Sequence, residues 1–271
     1  MKNILRSSKT NASAKSSKSL FKKKALGQNF LVDQMYIDKI INALCPKAKD
    51  TLIEIGPGIG ALTRPILERN FKLTVIEIDK RLPEVLSALA NASVNLNIIL
   101  KDVLSVDFNL FPRPMRVFGN LPYNISTPIL THLFKSISNI KDMHFMLQKE
   151  VVDRMIAPAG TTNYGRLSIF VQYYCQAFLL FCVPPSAFDP APKVESAVVR
   201  LVPFSKSPYD TVEPDKLFKV VSMSFLMRRK TIFNNLKKIM TKQDFLILGI
   251  DPNLRPQDLT ISEYIKISNM V

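Results

Sequence analysis

The chain has 271 residues, 47% of them hydrophobic, which is enough to bury one sizeable core and leave room for a smaller second one. No apolar run approaches the roughly 20 residues of a membrane-spanning helix, and the longest candidate, 168–183, is interrupted by Gln172 and Gln176 and halted by Pro184-Pro185. A formal net charge of +15 asks for a polyanionic partner, nucleic acid first. The three scattered cysteines, Cys45, Cys175 and Cys182, lack metal-ligand spacing and suit a reducing compartment better than a disulfide framework.

Eight of the 37 basic residues fall in the first 24 positions with no acid among them. Residues 1–23 therefore read as a basic, disordered tail. A transit peptide also avoids acids, but this stretch has more Lys than Arg and little apolar periodicity. After the tail, strand-like apolar runs alternate with helical patterns, the mark of a doubly wound α/β sheet. The expected strands are 51–56, 73–78, 96–100, 115–119 and 143–148, all parallel and buried, followed by 178–183 and 197–202 as an antiparallel hairpin at one edge. The catalytic unit is expected over 24–204. Residues 205–271 begin with a polar, Pro-containing linker and continue as a small helical domain. There Phe218, Val221, Phe225, Ile232, Leu236 and Ile239 recur at helical spacing, with Lys219, Lys230 and Lys237 on one flank of that helix. The flank is either an RNA-facing edge or an ordinary solvated face. Arg229 falls inside the apolar stripe, where a pairing role at the domain interface is expected.

The first turn of the sheet, IEIGPGIGALT (53–63), carries Gly56, Gly58 and Gly60 between a strand and a helix. Such a turn lets a ligand approach backbone N–H groups closely. Its G-x-G-x-G spacing lacks the last glycine of the dinucleotide fingerprint and favours an adenosyl ligand without a pyrophosphate. Glu77 ends the next strand, 21 residues beyond Gly56, where a carboxylate can accept from both ribose hydroxyls; Asp79 competes for that role. Asp102 ends the third strand and is placed either beside the adenine or as a cap for the segment that follows.

The fourth strand runs into GNLPYNIS (119–126). An exocyclic amine that is to be methylated must have its hydrogens held by acceptors, so that the nitrogen lone pair turns toward the methyl donor. The side-chain oxygen of Asn120 and the carbonyl of Leu121 can hold them, Pro122 stiffens the turn, and Tyr123 offers a stacking face. Direct displacement needs alignment rather than a protein nucleophile, in keeping with a chain that has only His132 and His144 as histidines and no G-x-S-x-G motif. The bland alternative is a Gly-Pro turn with a buried tyrosine.

GQNFL (27–31), EIGPGIGALT (54–63), IEID (76–79), KDVL (101–104), GNLPYNISTPIL (119–130) and PPSAFDPAPKVESAVVRL (184–201) together closely resemble the small-subunit ribosomal RNA adenine dimethyltransferases, from about residue 20 to the C-terminus. The resemblance implies a Rossmann-like methyltransferase sheet and S-adenosylmethionine as methyl donor, without a metal. The implied substrate is a pair of adjacent adenosines near the 3′ end of small-subunit rRNA, each dimethylated on N6. It also implies that Asn29 and Leu31 close over the cofactor, with Gly56, Glu77, Asp102 and Asn120 as further contacts. Phe188 becomes the second ring opposite Tyr123, the flipped adenine lying between them. The expected partner is the small ribosomal subunit precursor, and the chain is expected to act as a cytoplasmic monomer. Two rivals share the fold: the erythromycin-resistance methyltransferases of large-subunit rRNA, and a non-enzymatic RNA-binding assembly or transcription factor. Leu121 in NLPY and the PPSAFDPAPKV segment look more like the small-subunit enzymes.

Overall fold

The structure is a computed structural model that describes residues 29–89, 95–122 and 125–271. The basic tail and Tyr123 lie outside the described residues. Strand β1 (Phe30–Leu31) leads into helix α1 (Gln34–Leu44). The Asp33 side chain caps that helix by accepting from the Met35 N–H, and the helix stops at Cys45, which takes a left-handed backbone.

Five strands follow in the α/β alternation that the sequence suggests: β2 (Thr51–Ile55), β3 (Leu73–Glu77), β4 (Leu96–Leu100), β5 (Met115–Asn120) and β6 (Ile140–Gln148). All pair in parallel, but β4, expected to be buried, is the edge strand and has no buried residue. Their crossovers carry helices α2 (Thr63–Glu68), α3 (Pro83–Leu89) and α4 (Ser126–Phe134). The apolar run that looked like one long segment divides in two. After α5 (Lys149–Ile156), α6 (Arg166–Tyr174) occupies its first half, and β7 (Cys175–Val183) its second. A two-residue strand β8 (Phe188–Asp189) and then β9 (Ser196–Pro203) complete the unit. Seven strands lie in the order β4-β3-β2-β5-β6-β9-β7, with β9 antiparallel to both β6 and β7, so the expected hairpin closes one edge. Separately, β1 and β8 form a two-stranded antiparallel sheet that pairs Leu31 with Phe188.

The C-terminal segment forms α7 (Pro214–Ser224), α8 (Ile232–Leu236), α9 (Lys242–Ile247) and α10 (Ile261–Met270). The single helix expected over the 218–239 stripe is in fact two. Thr231 caps α8 by accepting from the Asn234 N–H, and the buried Asn235 side chain bonds the Met227 N–H and C=O, holding 225–231 as a turn. Arg229 is exposed rather than set into the apolar stripe; its neighbour Arg228 donates to the carbonyls of Thr162 and Tyr164 and ties the helices to the sheet unit. Phe170 of α6 packs on Phe218 of α7 with ring centroids 3.9 Å apart, and one apolar core runs from the sheet into these helices.

At the N-terminal ends of β5 and β6 a charged cluster is buried. The Arg116 guanidinium grips Asp142 with two bonds, of 2.7 and 2.8 Å, and reaches Asp50 at 2.9 Å. Arg200 adds a second contact to Asp142 at 3.2 Å. Burial opposes the ionisation of Asp142, but Arg116, His144 and Arg200 outweigh it and hold its pKa below the usual value. His144, buried beside the cluster, is pushed down to about 4 by that burial, with Arg116 and Arg200 adding to the effect and Asp142 opposing it.

Candidate active site

The strand order reverses between β2 and β5, and a cavity of about 550 Å³ opens beyond their C-terminal ends. Open α/β sheets bind ligands at such a reversal, because the loops there diverge. The cavity is of the size that encloses a small organic ligand.

Its floor is the first turn of the sheet. Gly56 takes φ +65, a left-handed backbone that a side chain would strain, and its N–H bonds back to the carbonyl of Ile76 at 2.9 Å. That bond pins the turn to β3, whose last residue is Glu77. The Glu77 carboxylate is buried, and backbone donors hold it in place: Ile78 N–H and Asp79 N–H reach one oxygen at 2.8 and 2.9 Å, and Gly58 N–H reaches the other at 3.3 Å. Asp79, the competitor, is occupied elsewhere. Arg81 chelates it through two nitrogens and holds its carboxyl below the usual range, so Glu77 is the carboxylate that lines the cavity. Asp102 is the cap that was one of its two expected roles, accepting from the Leu104 N–H at 2.9 Å at the start of a short 3₁₀ turn, and it also borders the cavity.

The far wall comes from the end of β5. Gly119 lets that strand lie against β2, since a Cβ there would collide with the Ile55 carbonyl. Asn120 donates through Nδ2 to the backbone oxygen of Asn29 at 3.4 Å, so its carboxamide oxygen is the acceptor it can offer to an amine. The Leu121 N–H is committed to the Met146 carbonyl at 3.1 Å, which fixes the Asn120–Leu121 peptide immediately before the Leu121 carbonyl. Asn29 and Leu31 line the near side, and between them Phe30 packs its ring against Gly58.

Every cofactor-contact residue expected from the sequence therefore borders one cavity: Asn29, Leu31, Gly56, Glu77, Asp102 and Asn120. Leu121 borders it as well. Phe188 does not. It is only 5% exposed, packed in the apolar shell behind Leu31.

One wall residue escaped the sequence reading. Glu54 of β2 is 2% exposed, lines the cavity, and accepts a 2.7 Å bond from the Thr63 hydroxyl. Burial pushes its carboxyl up to about 8; the Thr63 bond opposes the shift and the charge of Glu77 adds to it. The signal was present, an acid in the middle of the apolar run TLIEI.

Residues 20–271 match the sequence profile of the ribosomal RNA adenine dimethylases. The chain belongs to that family. Curated members of the dimethylase family include the ribosomal RNA small subunit methyltransferase A of Legionella pneumophila, 50% identical over 92% of this chain and 97% of the relative. The protein of the same name from Proteus mirabilis is 46% identical over 92% and 93%. Among solved structures, a dimethyladenosine transferase from Plasmodium falciparum superposes with a TM-score of 0.74 at 28% identity, covering 88% of this chain and 95% of that one. The 23S rRNA methyltransferase ErmE superposes with a TM-score of 0.67 at 22% identity, a likeness of fold alone. As a ribosomal RNA adenine dimethylase, the chain is an S-adenosylmethionine-dependent enzyme, and the large-subunit resistance reading is not favoured. Among the described residues no cluster of His, Cys, Asp or Glu could hold a metal, and no helix is long and apolar enough to cross a membrane.

Proposed function

We propose that the cavity holds S-adenosylmethionine and that residues 120–123 present adenine N6 to it, so that two adjacent adenosines in the 3′-terminal hairpin of small-subunit rRNA each receive two methyl groups. The observation that carries this reading is the convergence of Gly56, Glu77, Asp102 and Asn120 on one cavity. The donor set fits an adenosyl amino acid: a rigid buried carboxylate for the ribose hydroxyls at Glu77, a carboxylate at Asp102 for the adenine edge, and a tight glycine turn on the other side of Glu77, after β2. When bound, the cofactor supplies a methyl group made electrophilic by its sulfonium.

The protein supplies alignment. The Asn120 side-chain oxygen and the Leu121 carbonyl accept the hydrogens of the amine and turn its lone pair toward the methyl carbon. Tyr123 stacks on the base. Phe188 enters the reading as the second ring, and it reaches the base only if the β1–β8 pair shifts. In this reading residues 205–271 are a helical domain that shares its core with the sheet unit and offers RNA the exposed Lys219, Lys230 and Lys237. The tail of residues 1–23 adds non-specific phosphate affinity, and the enzyme acts as a cytoplasmic monomer on a precursor of the small ribosomal subunit.

The test is mass spectrometry of nucleosides from the separated small-subunit and large-subunit rRNA of ribosomal particles from a strain lacking the enzyme, incubated with protein and donor. Dimethyladenosine in small-subunit rRNA is expected; its appearance only in large-subunit rRNA would overturn the substrate assignment.

A further inference from the structure

The mechanism above leaves one buried titratable group of the cavity without a task. Glu54 is the next-to-last residue of β2, which lies between β3 and β5 in the sheet. Its neighbours define what it can be. From α2, the Thr63 hydroxyl donates to its Oε2. From β3, Glu77 borders the same cavity, its carboxylate anchored by three backbone N–H groups. Lys101 and Asp102 line the cavity after β4, and from β5 the neutral Asn120 does so. No cation is paired with Glu54 among the contacts of the described residues. Three carboxyl groups, Glu54, Glu77 and Asp102, thus border one largely apolar enclosure, and the side-chain donor to Glu54 is a single hydroxyl.

Like charges in such a place do not both ionise readily, and the group with fewer donors keeps its proton. Glu77 has three backbone donors and Glu54 has one hydroxyl. A ligand carrying positive charge reverses the balance, because a cation inside a water-excluded cavity favours the ionised form of any carboxyl that faces it. S-adenosylmethionine carries two such charges, the α-ammonium and the sulfonium, against one carboxylate.

We propose that Glu54 holds an exchangeable proton in the donor-free enzyme and releases it to solvent as the cationic donor enters, so that donor binding and deprotonation of this residue are one linked event. The Glu54 O–H bond breaks, its electron pair stays on the carboxylate, and the proton passes to buffer. Glu54 is then a second positioning anion beneath the donor, formed only when a cation is present to meet it. The raised carboxyl value of about 8 agrees with this assignment. The inference rests on the cavity being the donor site, as proposed above.

Calorimetric titration of the full chain with S-adenosylmethionine, in buffers of different ionisation heat, reads the proton count directly. With a carboxyl near 8, the release expected at pH 7 is about 0.9 proton, and the donor affinity should fall about tenfold for each pH unit below about 8. Glu54→Gln should abolish the release and flatten the profile. Thr63→Val removes the hydroxyl that helps the anion, so its affinity profile should move to higher pH, a shift that a packing role for Thr63 would not produce. The neutral probe 5′-methylthioadenosine should bind without release. Equal proton counts in the parent and Glu54→Gln would overturn the proposal, as would full release with the neutral probe. If Glu54→Gln does not fold, an unmoved Thr63→Val profile overturns it alone. Glu77→Ala separates the two levels: donor affinity equal to the parent would sink the cavity assignment, whereas donor binding without proton linkage sinks only the role of Glu54.

Discussion

The two ends of the central sheet solve the problem of buried charge in opposite ways. At the N-terminal ends, Asp142 and Asp50 are matched by Arg116, Arg200 and Lys141, and charge is neutralised inside the protein. At the C-terminal ends, Glu77 is held by backbone dipoles and Glu54 by one hydroxyl, so charge is left for a ligand to neutralise. One end is finished by folding and the other by binding. The difference teaches where to expect stability effects and where to expect functional ones.

The sharpest way to break this contrast is at Arg116. Arg116→Met leaves Asp142 and Asp50 buried without their main partner, and the loss of stability, read from the denaturant midpoint, should be about 3–5 kcal/mol. Donor affinity, measured where the variant is still folded, should stay near the parent value; a matching loss would mean that the two ends are not independent. Asn120→Ala should do the reverse. Single-turnover methylation should fall roughly 10²–10³-fold, the scale of one transition-state hydrogen bond, with the melting temperature unchanged and donor binding largely kept. Near-parent turnover would remove Asn120 from the mechanism.

Phe188 sits where packing and chemistry compete, so Phe188→Leu, which keeps an apolar side chain, sharpens the distinction. If the ring stacks on the base, about 1–3 kcal/mol of binding is lost at limiting RNA; an unchanged rate there confines Phe188 to the apolar shell. The smallest effect is a pH dependence at the N-terminal end. The His144 value is depressed from 6.5 to about 4, so the stability carried by its neutral form is present above 6.5 and is lost as pH falls toward 4. One pH unit below 6.5 the loss is on the order of 1 kcal/mol. His144→Leu should flatten that limb of the stability profile, and an unchanged limb would assign the acid sensitivity to other groups.

Much of the sheet was legible because buried parallel strands must be rich in apolar, β-branched residues, and TLIEI and LTVIE are such runs bounded by turns; LNIIL reads the same way although it is an edge strand with no buried residue. The cofactor side of the cavity was legible for a related reason. Residues at strand ends occupy fixed places once the strand order is known, so Gly56, Glu77, Asp102 and Asn120 converge without any long-range guesswork. Three things were not legible. The break between α7 and α8 depends on the Asn235 side chain bonding a turn eight residues earlier, and helical periodicity alone runs straight across it. The exchange of Arg229 for Arg228 at the domain contact follows from that break, which shifts the phase of the residues after it. Glu54 was visible as a charge in an apolar run, but its importance depends on Thr63 and Glu77 meeting it in space.

The pairing of β1 with β8 has a consequence for the order in which ligands act. Phe30 and Leu31 wall the donor cavity, and Val32 and Asp33 both donate to the Ala187 carbonyl, at 2.9 and 3.2 Å. The entry segment and the proline-rich stretch are therefore one mechanical piece. If a contact at Phe188–Asp189 is coupled to occupancy of the cavity, each must alter the affinity of the other by the same factor. The two-stranded sheet therefore ties the cavity wall to the Phe188 segment by a connection that lies outside the seven-stranded sheet.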